Sequence, residues 1–101
     1  MPYRLTVTIP GPVLPLERGQ RFADPLDEAL RAERLGELGD EGTQMGLVDG
    51  KTVVVAAEVE LRVTDLDRAL AVIRRVLRSA GAPPATTITQ HAPDKVVHGV
   101  W

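Results

Sequence analysis

Glu58 and Glu60 are residues whose type and spacing could do chemistry. On a strand they point the same way, about 6–7 Å apart along the backbone, and two carboxyls can divide general-acid and general-base work. That division needs one of them held protonated by burial. Arg4 and Arg62, their neighbours in the expected sheet, favour the charged form instead, so neither glutamate is assigned as catalytic. His91 and His98 are the only histidines, seven positions apart with Asp94 between them. Two imidazoles at this spacing fall short of the ligand set of a zinc site. Ser79, the only serine, has no histidine near it in sequence to activate it. The expectation is no catalytic residue, no metal ligand and no cofactor.

Two binding surfaces remain. Arg18-Gly19-Gln20-Arg21 precedes the expected start of a helix, where two guanidinia and a helix terminus could hold a phosphate or carboxylate; Arg18 and Arg21 form this candidate anion loop. The second candidate is the outward side of a sheet, carrying Arg4, Thr6, Thr8, Val54, Ala56, Glu58, Glu60, Arg62 and His91. Arg74, Arg75 and Arg78 gather near the end of a helix, where they complement its dipole. Without interleaved aromatics they do not make a nucleic-acid surface. The charge balance, 12 basic against 14 acidic residues, gives no general attraction to nucleic acid or to anionic lipid.

The elements that must position these residues follow from periodicity. Tyr3, Leu5, Val7 and Ile9 alternate with Arg4, Thr6 and Thr8, which predicts a first strand with one buried side. Residues 10–23 read as a loop punctuated by proline and glycine, pinned by Val13, Leu14, Leu16 and Phe22. Asp24-Pro25 reads as the start of a first helix that frays near Gly36 and Gly39. Residues 43–63 form a hairpin in which Val53, Val55, Ala57, Val59, Leu61 and Val63 face inward. A three-residue loop, Val48-Asp49-Gly50, sets Met45 opposite Val53 and turns Met45 and Leu47 into the core. Thr64 caps a second helix whose apolar stripe runs from Leu66 to Ala80, and Gly81 ends it. Residues 85–91 make a last strand, and the tail 92–101 is an extra edge strand, a flap over the core or a contact with another subunit.

The 101 residues make one α+β domain. With neighbouring strands paired and right-handed crossovers, the β-α-β-β-α-β order implies a ferredoxin-like sandwich. Two helices cover one face of a four-stranded antiparallel sheet in the order 4-1-3-2, with a possible fifth strand from the tail. In element order the chain resembles small bacterial βαββαβ proteins, among them ACT-type regulatory domains. Those carry a glycine near the first strand–helix junction, a place Gly11 or Gly19 could take. The absence of cysteine, of a signal-like N-terminal segment and of any apolar run near the ~20 residues of a membrane span makes the expected compartment the cytoplasm.

The leading expectation is a non-catalytic protein-interaction module of immunity or adaptor type. It is a homodimer or binds a protein partner through the open sheet face, an edge strand or the tail. The alternative is an ACT-like sensor of an amino acid or other small anion, and the third is a small dimeric α+β barrel enzyme.

Overall fold

The structure is a computed structural model that describes residues 3–91 and 94–101. In chain order its elements are β1 (Tyr3–Pro10), α1 (Pro15–Glu17), a π-helical turn (Arg18–Ala23), α2 (Asp24–Ala32), β2 (Gly36–Val48), β3 (Lys51–Val63), α3 (Leu66–Ser79), β4 (Thr87–Gln90) and β5 (Val96–Gly99). All strand pairs are antiparallel and the sheet order is β2-β3-β1-β4-β5. This differs from the expected four-strand order by a fifth strand, β5, on the outer edge of β4. The tail thus forms an edge strand; residues 92 and 93 lie outside the described residues.

One hydrophobic cluster joins the sheet to the helices. Leu5, Val7 and Ile9 of β1, Ala57, Val59, Leu61 and Val63 of β3, and Ile88 of β4 are fully buried against Leu26 and Leu30 of α2 and Ala69, Ile73 and Leu77 of α3. Each such Leu, Ile or Val side chain contributes roughly 1.5–3 kcal/mol by leaving water. Beyond β5, Val100 is buried, its carbonyl accepts from Arg78 Nε, and the Trp101 indole donates to the Ala82 carbonyl at 3.0 Å.

The loop expected over residues 10–23 is helical from Pro15 onward, and the first helix does not start at Asp24-Pro25. Val13 and Phe22 are buried as expected, but Leu14 and Leu16 are exposed. Pro25 lies inside a continuous helical run, where it donates no hydrogen bond and its ring would collide with the carbonyl four residues back. The π-helical turn before it absorbs that misfit: Asp24 donates to the Gly19 carbonyl, one residue wider than an α-turn.

The same helix also ends earlier than the apolar pattern suggests. Arg34 takes a left-handed conformation (φ +55°), Leu35 N–H donates to Leu30 O, and Arg34 N–H donates to Arg31 O. This is a Schellman stop with arginine where glycine is usual. Leu38 therefore sits in β2, opposite Leu61. At α3 the cap is Asp65, whose carboxylate accepts from Arg68 N–H, and not Thr64, whose hydroxyl instead donates to Leu35 O.

Asp27 joins α2 to β2. Its Oδ1 accepts from Leu38 N–H at 2.9 Å and from Arg31 Nε at 2.8 Å. The Leu38 amide holds the carboxyl below its ordinary 3.8, desolvation opposes this, and Arg31 adds to the lowering. The stability this linkage contributes is present above the unfolded-chain value and is lost as pH falls through the folded one. Asp27→Asn is expected to lower unfolding free energy by about 1 kcal/mol at neutral pH. Urea titrations should show that deficit shrinking below pH 3.8.

The hairpin turn differs from the expected one. Val48 pairs with Lys51, leaving a two-residue loop in which Asp49 (φ +51°) and Gly50 (φ +76°) are both left-handed. Asp-Gly tolerates this pair of conformations and matches the twist of the strands. The expected three-residue loop keeps the hydrophobic register at the turn, whereas the chain corrects the register elsewhere. Gly39 and Asp40 of β2 oppose Glu60 alone, and Val55 is an extra residue of β3 between the Gln44–Ala56 and Met45–Val54 pairs. Met45 and Leu47 keep the side of β2 on which Thr43 opposes Ala57, but they lie beyond the core and stand in solvent.

Candidate functional site

The side of the sheet away from the helices is polar and uncovered. Register sets Thr6 beside Glu60 and Thr89, and Thr8 beside Glu58 and Thr87. Arg4 lies opposite Arg62, so the expected cross-strand Arg–Glu pairing is absent between these strands. Arg62 instead lies 3.6 Å from Glu60 of its own strand and opposite Glu37 of β2. His91 donates its backbone N–H to Arg4 O, and its Nε2 shares a 2.8 Å hydrogen bond with the Thr6 hydroxyl. Gln44 donates to the Glu58 carboxylate.

Thr6, Asp40, Glu41, Gly42, Glu58 and Glu60 line a cleft of about 130 Å³ on this side. The Gly39-Asp40 bulge forms one wall. The glycines at 39 and 42, which favour bulged or closely approached backbone, are the signal in the sequence for this wall. Among the described residues no three His, Cys, Asp or Glu side chains converge as metal ligands.

Ala56 is on the open side but buried, opposite Pro10 and Gln44. Val54 does not join it. The bulge at Val55 reverses the alternation, so Val54 pairs with Met45 on the other side of the ribbon.

Beyond the Pro10–Ala56 pair and the Gly11 N–H that donates to Val55 O, β3 has no strand beside it but β2 among the described residues, and the two hairpin strands continue as an arm. The molecule is correspondingly elongated, 44 × 28 × 23 Å. Met45 (54% exposed), Leu47 (76%), Val48 (54%) and Val55 (39%) lie in this arm and carry much of the exposed large apolar surface. Met45, Leu47 and Val54 share one side; Val55 leans over Gly46 beside Val53 on the other, its Cγ1 2.9 Å from where a Gly46 Cβ would stand. Between Thr43 and Val48 the strand has no charged residue.

The two residues of the anion loop have separate partners. Arg18 donates to the Glu41 carboxylate, Gly42 O and the Thr43 hydroxyl, tying the π-helical turn to the base of the arm. Arg21 donates to Ala80 O, Gly81 O and Glu17, which ties the same turn to the end of α3. Arg21 also borders a groove of about 410 Å³ with Pro25, Arg75, Val76, Ser79 and Ala80. Among the described residues no helix is long and apolar enough to cross a membrane. Comparison with protein-family models, with curated proteins and with solved structures finds no match for this chain.

Proposed function

We propose that this protein is a non-catalytic protein-interaction module built on a ferredoxin-like sandwich with an added edge strand, and that it binds through the β2–β3 arm and the adjoining open sheet face. The carrying observation is the arm: a charge-free strand segment with exposed apolar side chains on both sides and no third strand to cover it. A two-stranded ribbon alone is marginal in water, and exposed apolar patches mark interaction sites. The open face supports this reading with the charged and polar groups of Arg4, Glu58, Glu60, Arg62 and His91, among which His91 bonds the Thr6 hydroxyl, Glu58 accepts from Gln44 and Arg62 pairs with Glu60. Light scattering across concentration, with capture of partners from a source lysate, tests the reading. A chain that stays monomeric and retains nothing overturns it.

A second reading, an ACT-like sensor of a small carboxylate, draws on the groove beside Arg21 and Arg75. A metabolite that raises the melting point of the native protein, but not that of Arg21→Ala, would select it.

A further inference from the structure

We infer that the groove between the π-helical turn and the end of α3 binds a monocarboxylate with an apolar body, its carboxylate on Arg21 and its body on Pro25, Val76 and Ala80. The inference rests on the sensor reading and names its class of ligand.

The groove arises because small side chains meet where two helical segments come together. Arg75, Val76, Ser79 and Ala80 stand at i, i+1, i+4 and i+5 along α3 and its cap, which puts them on one face of the helix. Arg21 of the π-helical turn and Pro25 of α2 lie across from them. Proline, valine, serine and alanine reach only a short way toward one another, and about 410 Å³ stays open. That is a size usual for small-molecule sites, which are mostly apolar with a few placed polar groups. Val76 and Ala80 also pack against the core, so the fold fixes the apolar floor.

Arg21 is the placed polar group. Its Nε donates to Ala80 O at 2.9 Å, one terminal nitrogen to Gly81 O at 3.3 Å and the other to Glu17 at 2.9 Å, while its Cζ lies 5.0 Å from the centre of the Phe22 ring. These bonds use three of the five guanidinium N–H groups and leave one on each terminal nitrogen, the pair a carboxylate accepts from in a bidentate contact. A side chain already held in this way loses little freedom when a ligand arrives. Arg75 supplies a second guanidinium, with one bond to Glu33. Among the described residues no acidic side chain lines the groove, so a cationic ligand meets no counter-charge there. Glu17 and Glu33 nevertheless offset the charge of the two arginines, and the site therefore suits a monoanion better than a phosphate dianion.

Octanoate, acetate and octylammonium at equal concentration are the probes. Octanoate is expected to raise the Tm by binding the native state, and the other two to leave it unchanged. Ser79→Phe, at an exposed position, fills the groove without removing a bond of Arg21. It should fold as the wild type by circular dichroism and lose the octanoate shift. Arg21→Lys keeps the charge but not the fork, and should weaken octanoate binding roughly tenfold in calorimetric titrations. Amide resonances perturbed by octanoate should lie within residues 18–26 and 75–82. Acetate as effective as octanoate overturns the inference and leaves the sensor reading in place. Octylammonium as effective as octanoate, a shift that survives Ser79→Phe, or perturbations confined to the arm overturns both. A protein that does not bind octanoate overturns the inference alone, because the metabolite melts with Arg21→Ala judge the sensor reading separately.

Discussion

Phe22→Ala is expected to lower the free energy of unfolding by about 3–5 kcal/mol, the range for deleting a buried phenyl group. Domains of this size hold only about 5–15 kcal/mol in total, so the variant should approach half-unfolding at modest urea. Phe22 is 1% exposed and lies in the π-helical turn, between α1 and α2. The core is otherwise aliphatic, so no other side chain there has the volume to fill the space it would leave. Arg21 lies over its ring at 5.0 Å, and donates to Ala80 O and Gly81 O as well. Removing the ring therefore loosens the turn that holds both the arm base, through Arg18, and the end of α3, through Arg21. Leu16→Ala, in the same helical run but 71% exposed, should change stability by less than about 0.5 kcal/mol. Urea unfolding of both variants checks the contrast; a loss below about 1 kcal/mol for Phe22→Ala would show that this turn is not anchored by its core residue.

Much of the architecture is legible in the sequence because one physical signal dominates it. The alternation of β1, the distal half of β3 from Ala57 to Val63, and the stripe of α3 each place an apolar side chain on one side in every period, and most of these are buried there, with Tyr3, Leu66, Val76 and Ala80 partly buried at the margins. Register in the rest of the hairpin is not legible that way. The turn obeys Asp49-Gly50, the buried side obeys the valines, and the two demands disagree by one residue. Periodicity offered a longer turn as the remedy, whereas the chain bulges at Val55 and at Gly39-Asp40, where the correction leaves the turn unstrained. The candidate surface is legible in part. Thr6, Thr8, Glu58 and Glu60 are readable as neighbours from alternation, whereas Met45 and Leu47 are surface residues because the hairpin runs past β1, a length that no sequence period marks. The π-helical turn escaped for a similar reason. Pro10, Pro12, Pro15 and Gly19 read as breakers, while Pro15 sits at a helix start and Gly19 supplies the carbonyl that Asp24 reaches.

Gly36→Ala is expected to cost about 3 kcal/mol, near the upper end of what overpacking a core imposes. The backbone at Gly36 has no positive φ, so conformational freedom is not the reason. Space is. A Cβ there would stand 2.2 Å from Arg62 O and 2.9 Å from Val63 Cγ1, and the carbonyl belongs to the partner strand rather than to a side chain able to move aside. Gly36 opens β2 opposite Val63, one residue after Leu35 O accepts both the N–H and the hydroxyl of Thr64. Relieving the clash means separating β2 from β3 at the end where the Asp27–Leu38 bond also holds it. Gly39→Ala offers the comparison, because the atoms nearest its Cβ would be those of the flexible Glu60 side chain, its Oε1 at 2.9 Å and its Cγ at 3.3 Å. That variant should lose less than about 1 kcal/mol. Hydrogen exchange should show weakened protection along the first residues of β2 in Gly36→Ala and near-native protection in Gly39→Ala. Equal losses in the two variants would mean that β2 can shift away from β3 at little cost, and that the close approach at Gly36 does not set the strand's position.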